Sequence, residues 1–212
     1  MMQKALSDLK AMGAEVIEVS VPMTKQAVPV YYLIASSECS SNLSRYDGVR
    51  FGFRSEFPSL ANLDLADFYS RTRGEGFGAE VKRRIMLGTY CLSSGYYDAY
   101  YNKAGQVRRL LSEEFNAAFK KCDIILSPVT ASPAFKIGER ISNPLEMYLN
   151  DIFTVSTNLV GLPGMSVPFG QTRTKLPIGV QLMAAHFEEQ KMLNVGLALQ
   201  KASSVQGLVP NV

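Results

Sequence analysis

Histidine and cysteine, which commonly act in catalysis or bind metals, are few in this sequence, and their spacing matches no familiar catalytic or metal-binding motif. The chain of 212 residues has one histidine, His186, and three distant cysteines, Cys39, Cys91 and Cys122. These positions match neither a zinc-ligand spacing nor a disulfide framework. A Ser-His-Asp triad would have to use His186, which follows a predicted strand and is typical of a loop histidine. We therefore expect no metal site.

The pair Ser93-Ser94 before Gly95 has the composition of a nucleophile loop. A serine nucleophile needs an adjacent general base, and no such base lies close to this pair in the sequence. The pair also separates two helical patterns, and serines commonly cap helix ends. A helix break with capping serines is therefore the favoured interpretation.

Other side chains could bind a small charged ligand, although each has an ordinary structural explanation. Arg84 follows Glu80 by four residues, which is the spacing of a helical ion pair. Asp151 could polarise or cap the end of a short helix. Tyr31 stands beside Tyr32 in the apolar run VYYLI, where core packing is common. On spacing alone, the helical ion pair is the favoured interpretation of Arg84.

Composition and charge exclude several classes of protein. Hydrophobic residues make up 47% of the chain and charged residues 19%, which is typical of a globular protein. No apolar run approaches the ~20 residues of a membrane span, and the first residues lack the apolar run of a signal peptide, so a cytoplasmic location is expected. The net charge of +3 is too small to indicate nucleic-acid binding. Small basic clusters, interpreted as solvated helix faces, occur at Arg71/Arg73, Lys82–Arg84, Arg108/Arg109 and Lys120/Lys121.

The elements that would position these residues follow an α/β pattern. Helical periodicity predicts helices at residues 2–12, 25–44, 65–73, 77–92, 96–121 and 188–202. Short apolar or alternating runs predict strands in EVIEVSVP, CDIILSPV, MSVPFG and PIGVQLMA. We predict a single α/β unit over residues 1–212, with a mixed β-sheet flanked by helices and few strands for its length.

Four segments resemble the amidase signature family. They are YYLIASSECSSNLSRYDGVRFGFR, RGEGFGAEVKRRIMLGTYCLSSGYYDAYYNKAGQVR, PLEMYLNDIFTVSTNLVGLPGMSVPFG and PIGVQLMA. The pattern NLVGLPGMSVPFG is similar to amidase signature enzymes in general. The blocks RYDGVRFG, EGFGAEVKRRI and GYYDAYY are closer to the branch formed by glutamyl-tRNA(Gln) amidotransferase A subunits. The resemblance runs from Met2 to about Gln200 and implies the C-terminal portion of the amidase signature fold.

The resemblance also implies what this stretch of chain lacks. Family members have a catalytic lysine and two serines in the N-terminal half of the full-length protein, and nothing here matches them. No catalytic residue can be assigned, so the chain alone is expected to be inactive. The first helix leads into a predicted strand without a preceding strand, which agrees with a missing N-terminal portion. Sheet edges left uncovered would favour self-association.

What the resemblance assigns to this chain is substrate recognition. The A subunits hydrolyse glutamine, and the ammonia passes to a partner subunit that converts Glu-tRNA(Gln) to Gln-tRNA(Gln). By motif position, Arg84 in VKRRI matches the carboxylate-binding arginine and Asp151 in YLNDI the ammonium-binding aspartate. Tyr31 in VYYLI matches a pocket tyrosine, with the adjacent Tyr32 as the alternative. A bidentate arginine suits a carboxylate, and an aspartate suits an ammonium group.

The implied partners are the B and C subunits of the amidotransferase, glutamine and, through the complex, Glu-tRNA(Gln), with no membrane. The chain itself is expected to bind no cofactor, because ATP and Mg²⁺ are used by the partner subunit. One alternative is another amidase signature hydrolase, whose simpler amide would have no use for Arg84 and Asp151. A second alternative is a non-catalytic module that binds a partner or tRNA through the basic clusters.

Overall fold

The computed structural model describes residues 1–59, 63–139, 147 and 150–205. The chain divides into two compact units. The sheet unit comprises Met1–Val28 and Val107–Val212, and the helical unit comprises Pro29–Gln106. The predicted single unit over residues 1–212 therefore contains two compact parts.

Helices and strands occur in the described residues in the following order. They are α1 (Met2–Ala11), a 3₁₀ helix (Pro22–Gln26), α2 (Ala27–Leu43), α3 (Leu65–Gly76), α4 (Ala79–Leu92), a π-helical turn (Asp98–Asn102), α5 (Lys103–Phe119), β1 (Ile124–Pro128), α6 (Val155–Val160), β2 (Gly164–Gln171), β3 (Pro177–Ala184) and α7 (Glu189–Ala202). The six predicted helices are confirmed by α1 to α5 and α7, with ends that differ by a few residues. Residues 96–121, predicted as one helix, contain the π-helical turn Asp98–Asn102 before α5 begins at Lys103.

The sheet has the strand order β1-β3-β2, and both described pairings are antiparallel. Leu182 of the central strand β3 lies opposite Leu126 of β1, and Val180 of β3 lies opposite Val167 of β2. The α/β class and the sheet flanked by helices are confirmed. No parallel pairing occurs among the described strands, although a mixed sheet was predicted.

Large apolar side chains fill the core of the sheet unit. On β3, Val180, Leu182 and Ala184 are fully buried, and they share one face because successive side chains alternate along a strand. Helix α7 packs on β2 and β3, and α1 packs on α7. The buried cluster consists of Ala5, Val167, Phe169, Val180, Leu182, Ala184, Met192 and Leu199. The sheet unit thus has a core made by its own strands and helices.

The strand predicted in EVIEVSVP is wrong. Residues 14–21 form no strand with any part of the chain that the structure describes, and Pro22 begins the 3₁₀ helix. An alternation of polar and apolar residues indicates only that one side of the segment is apolar. A strand also needs a neighbour for its backbone N–H and C=O groups, and the sequence pattern contains no information about that neighbour.

The helical unit holds its loops with charged side chains bonded to the backbone. Arg73 on α3 donates from Nη1 to the carbonyl oxygens of Leu43 (2.8 Å) and Tyr46 (3.0 Å), just beyond the end of α2. The last carbonyls of a helix have no partner within the helix, so such donors stabilise its end. This contact ties α3 to the end of α2.

Candidate functional site

Arg84 lies on α4, one helical turn after Glu80. Its Nε donates to Glu80 Oε1 at 3.0 Å, while the other oxygen of Glu80 accepts from Arg83 Nη1 at 2.7 Å. The helical ion pair expected from the spacing of Glu80 and Arg84 is therefore present. Because Glu80 is bonded through Nε, the N–H groups of the terminal nitrogens Nη1 and Nη2 are not used by this pair.

Two consecutive tyrosines on α2 flank the Arg84 guanidinium. The Tyr31 hydroxyl oxygen lies 3.5 Å from Arg84 Nη1, which is the outer limit of a hydrogen bond. The Tyr32 ring centroid lies 5.7 Å from Arg84 Cζ, within the range of a cation–π contact. The two rings meet edge to face with centroids 5.2 Å apart. Tyr31 and Tyr32 therefore both contact Arg84.

The Arg84 guanidinium carries a permanent positive charge and is still accessible. The Tyr31 hydroxyl, and then the Glu80 carboxylate, raise the pKa of Arg84 above its usual value. Its side chain remains 31% exposed. Nη2 makes no hydrogen bond to the residues that the structure describes. A partly exposed guanidinium beside aromatic rings is suited to bind a planar anion such as a carboxylate.

Asp151 belongs to the sheet unit and is exposed. Its backbone carbonyl accepts from the amides of Thr154 (3.0 Å) and Val155 (2.9 Å), which closes the turn before α6. Thr154, not Asp151, is the N-cap of α6, and no side chain caps that helix. The carboxylate of Asp151 contacts no hydrogen-bonding or charged group in the described part of the chain. A purely capping role for this side chain is therefore not supported.

Gln181 anchors the turn that contains Asp151, and sequence reasoning missed it. Gln181 on β3 is 5% exposed and donates from Nε2 to the carbonyl oxygen of Phe153 (2.8 Å) and to Ser127 Oγ (3.0 Å). Buried amides are normally satisfied by hydrogen bonds, and these bonds fix the backbone two residues after Asp151. The sequence signal was a lone polar residue inside the apolar run PIGVQLMA.

The residues that could carry other chemistry have structural roles. Ser93 Oγ donates to the Tyr90 carbonyl (2.7 Å) at the end of α4, as the helix-break interpretation predicts. His186 is exposed in the turn after β3, with Nε2 at 3.3 Å from the Val160 carbonyl oxygen. Burial raises the pKa of the Cys91 and Cys122 thiols, which disfavours the reactive thiolate. These contacts leave Arg84 with Glu80, Tyr31 and Tyr32, here named the Arg84 cluster, as the stronger candidate.

Neither a metal cluster nor a membrane-spanning helix occurs among the described residues. They contain no group of three or more His, Cys, Asp and Glu side chains that could hold a metal ion. Of the helices formed by these residues, none combines the length and the apolar character needed to cross a membrane.

Several members of the basic clusters are engaged within the chain. Arg71 and Arg109 each pair with a glutamate four residues later at 2.9 Å. Arg108 donates from Nε to the Leu159 carbonyl oxygen (2.6 Å). A phosphate group would have to compete with these glutamates and this carbonyl oxygen for the same guanidinium groups. The clusters therefore favour helix stabilisation over nucleic-acid binding.

Comparison with known proteins gives consistent matches along the chain. A family model described as Amidase matches residues 1–193. The glutamyl-tRNA(Gln) amidotransferase A subunit of Bdellovibrio bacteriovorus is 71% identical over 210 residues, covering 99% of this chain and 43% of that relative. Its counterpart from Syntrophus aciditrophicus is 52% identical, covering 96% of this chain and 41% of the relative.

A solved structure agrees with these sequence matches. The crystal structure of the glutamyl-tRNA(Gln) amidotransferase A subunit from Thermotoga maritima matches with a TM-score of 0.70 and 41% identity, covering 98% of this chain and 40% of that chain. The chain thus spans about two fifths of the length of the relatives it matches.

Proposed function

The chain belongs to the amidase family, and we propose that it supplies the glutamine-binding residues of a glutamyl-tRNA(Gln) amidotransferase. Arg84 carries this proposal, because it presents a positive, accessible guanidinium edge between Glu80 and two tyrosines. The names of the relatives support the choice of amidotransferase over other amidases.

Arg84 binds the α-carboxylate of glutamine. Glu80 holds Nε, so the guanidinium is oriented before the substrate arrives and loses little freedom when it binds. The two terminal nitrogens then donate to the carboxylate oxygens as a bidentate pair. This geometry makes the helical ion pair a support for substrate binding, not an alternative to it.

The two tyrosines adjust the surroundings of that carboxylate. The Tyr31 hydroxyl lies near Nη1 and can donate to a carboxylate oxygen held there. The Tyr32 ring excludes water from one side of the guanidinium, which strengthens its interaction with an anion.

Asp151 binds the α-ammonium group. It is exposed, its carboxylate contacts no charged group in the described residues, and Gln181 fixes the turn that presents it. A simple amide without these charged groups has no use for Arg84 and Asp151, which disfavours a hydrolase of neutral amides.

The chemical step belongs to residues outside this sequence. In the whole enzyme a serine, activated by a lysine, attacks the glutamine side-chain amide and releases ammonia, and water then hydrolyses the acyl-enzyme. The ammonia passes to a partner subunit in the complex with the B and C subunits, and that partner subunit uses ATP and Mg²⁺ to amidate Glu-tRNA(Gln) in the cytoplasm. The isolated chain binds none of these cofactors and hydrolyses no glutamine.

Glutamine hydrolysis by the assembled enzyme tests the role of Arg84. Arg84→Ala removes a charge-assisted contact worth about 1.5–3 kcal/mol, so kcat/KM for glutamine falls roughly 10- to 150-fold. Arg84→Lys keeps the charge but not the fork and recovers part of this loss. Arg83→Ala is the matched control, since Arg83 shares the same helix and the same Glu80 partner.

The kinetics of the Arg84 and Arg83 variants distinguish carboxylate binding by Arg84 from a general effect on the surface of α4. A loss confined to the Arg84 variants supports the proposal. Equal loss in Arg83→Ala would assign the effect to Glu80 and the helix surface, and unchanged kinetics in Arg84→Ala would reject carboxylate binding by Arg84. If the isolated chain hydrolysed glutamine, the proposal that the chemical step belongs to residues outside this sequence would be rejected.

We also propose that the isolated chain self-associates. Both outer strands of the described sheet, β1 and β2, have one edge without a partner strand among the described residues. Such edges offer backbone groups to another chain. Sedimentation velocity over a micromolar range should show a mass that rises with concentration, and a strictly monomeric species would contradict this.

A further inference from the structure

Helices α2 and α4 approach each other so closely at Gly88 that no side chain fits there. A Cβ at Gly88 would lie 2.0 Å from the Ser36 carbonyl oxygen, 2.6 Å from its carbon and 2.7 Å from Ser40 Cβ. Two of these three neighbours are backbone atoms, which cannot rotate away. The absence of a side chain at Gly88 therefore sets the distance between the helices.

Glycine inside a helix is normally unfavourable, because it loses more conformational freedom than alanine when the helix forms. Gly88 lies well within α4, which runs from Ala79 to Leu92. Gly105 in α5 offers a contrast, since a Cβ there would meet nothing within 4 Å. Close packing is thus the physical reason for glycine at position 88 and is not a general property of glycines in this unit.

The close approach is continuous with the Arg84 cluster. Arg84 lies four residues before Gly88, about 6 Å along the helix. Tyr31 lies five residues before Ser36 on the facing helix. Beyond Gly88, Ser40 Oγ and Thr89 Oγ1 form a hydrogen bond of 2.9 Å. One line of contacts along α2 and α4 therefore contains both the tight approach and the Arg84–Tyr31 contact.

We propose that Gly88 is a positioning residue for the carboxylate-binding end of the site. Because position 88 has no side chain, the Ser36 backbone packs directly against α4. This packing sets the distance of Arg84 on α4 from Tyr31 and Tyr32 on α2. Gly88 itself contacts no substrate. This inference rests on the proposed function, because it assigns a consequence to the placement of Arg84.

A methyl group at position 88 tests this role. To relieve contacts of 2.0–2.7 Å, the helices must separate by roughly 1 Å. The separation moves the Arg84 guanidinium relative to Tyr31 and Tyr32, whereas Asp151, proposed above to bind the ammonium group, belongs to neither α2 nor α4. The defect should therefore be selective for ligands that carry an α-carboxylate.

The experiment compares two ligands in the assembled enzyme. Glutamine has the α-carboxylate, and 4-aminobutyramide retains the amine and the amide without it. For Gly88→Ala we expect the KM of glutamine to rise roughly tenfold, because small misplacements of a binding group are costly. The inhibition constant of 4-aminobutyramide against glutamine hydrolysis should change less than about twofold. The matched control, Gly105→Ala, should alter neither value.

A second variant covers the case in which Gly88→Ala does not fold. Thr89→Val has a similar side-chain volume and removes the hydrogen bond to Ser40, together with the bond from Thr89 Oγ1 to the Ile85 carbonyl within α4. It therefore loosens the contacts between α2 and α4 without a clash. It should raise the KM of glutamine by roughly two- to threefold, in line with the loss of the hydrogen bond from Ser40 on α2 to Thr89 on α4, again without an effect on 4-aminobutyramide.

The outcomes distinguish this inference from the proposed function. An equal weakening of both ligands, or no change in either for folded Gly88→Ala and Thr89→Val, would overturn the positioning role. If Arg84→Ala leaves the KM of glutamine unchanged, the proposed function itself fails. A large effect of Arg84→Ala with no effect of Gly88→Ala and Thr89→Val removes only the inference about Gly88.

Discussion

The sheet unit and the helical unit differ in what fills their interiors. The largest buried side chains of the sheet unit are apolar and include Phe169, Leu182 and Leu199. The buried positions of the helical unit include several small or polar residues, which are Ser36, Ser37, Ser55, Thr72, Gly88 and Cys91. One unit is stabilised mainly by burial of large side chains, and the other relies more on close approach of its backbones.

This difference predicts different responses to mutation. In the sheet unit, removing volume leaves a cavity and should cost stability. In the helical unit, removing a small polar group should cost little, while adding volume should displace Arg84. The unit with the smaller apolar interior is the one that holds the candidate carboxylate-binding side chain. The following variants test the contrast, in order of decreasing expected effect.

Leu182→Ala should give the largest loss of stability. Leu182 is fully buried at the centre of the sheet, so its truncation should lower the free energy of unfolding by about 2–5 kcal/mol. Urea unfolding followed by circular dichroism measures this. Leu197→Ala on α7 is the control, because Leu197 is 51% exposed and should cost less than about 1 kcal/mol. Equal losses would contradict the assignment of the core.

Gln181→Met should have an intermediate effect. Methionine has a similar volume but leaves the Phe153 carbonyl without its donor, so the free energy of unfolding should fall by about 1–3 kcal/mol. The turn at Asp151 should also exchange its amide hydrogens faster. Gln190→Met, at an exposed position of α7, should stay within about 0.5 kcal/mol of the original chain. Unchanged exchange near Asp151 would show that Gln181 does not anchor this turn.

Ser36→Ala should have the smallest effect, in the stabilising direction. Ser36 Oγ is buried and has no hydrogen-bond partner in the described chain, and alanine is the better helix former. We expect a gain of up to about 1 kcal/mol. Ser37→Ala is the matched control, since Ser37 is equally buried but its Oγ donates to the Leu33 carbonyl (2.7 Å). A loss larger for Ser36→Ala than for Ser37→Ala would contradict this account of the helical unit.

Local pattern was sufficient to predict much of the fold. The apolar runs around Ile124, Val167 and Val180 identified the three strands, because buried strands concentrate apolar residues between turn signals. The amidase family resemblance is also confirmed by the family model and the relatives. The alternation in residues 15–22 was misleading, since it does not reveal whether a neighbouring strand exists.

The candidate site was less accessible to sequence reasoning. Tyr31 and Arg84 are 53 positions apart, so local periodicity could not bring them together, and only the family motifs suggested their shared role. The contact of Tyr32, the anchoring by Gln181 and the close approach at Gly88 all depend on which side chains face each other across elements. The carboxylate- and ammonium-binding roles of Arg84, Tyr31 and Asp151 stay predictions.

A crystal structure of the assembled enzyme with bound glutamate tests the central claim most directly. Glutamate is the product of glutamine hydrolysis and retains the α-carboxylate. We expect α-carboxylate oxygens at about 2.7–2.9 Å from the terminal nitrogens of Arg84, with Nε still bonded to Glu80. An α-carboxylate bound by other residues, with Arg84 contacting only Glu80 and the tyrosines, would contradict carboxylate binding by Arg84.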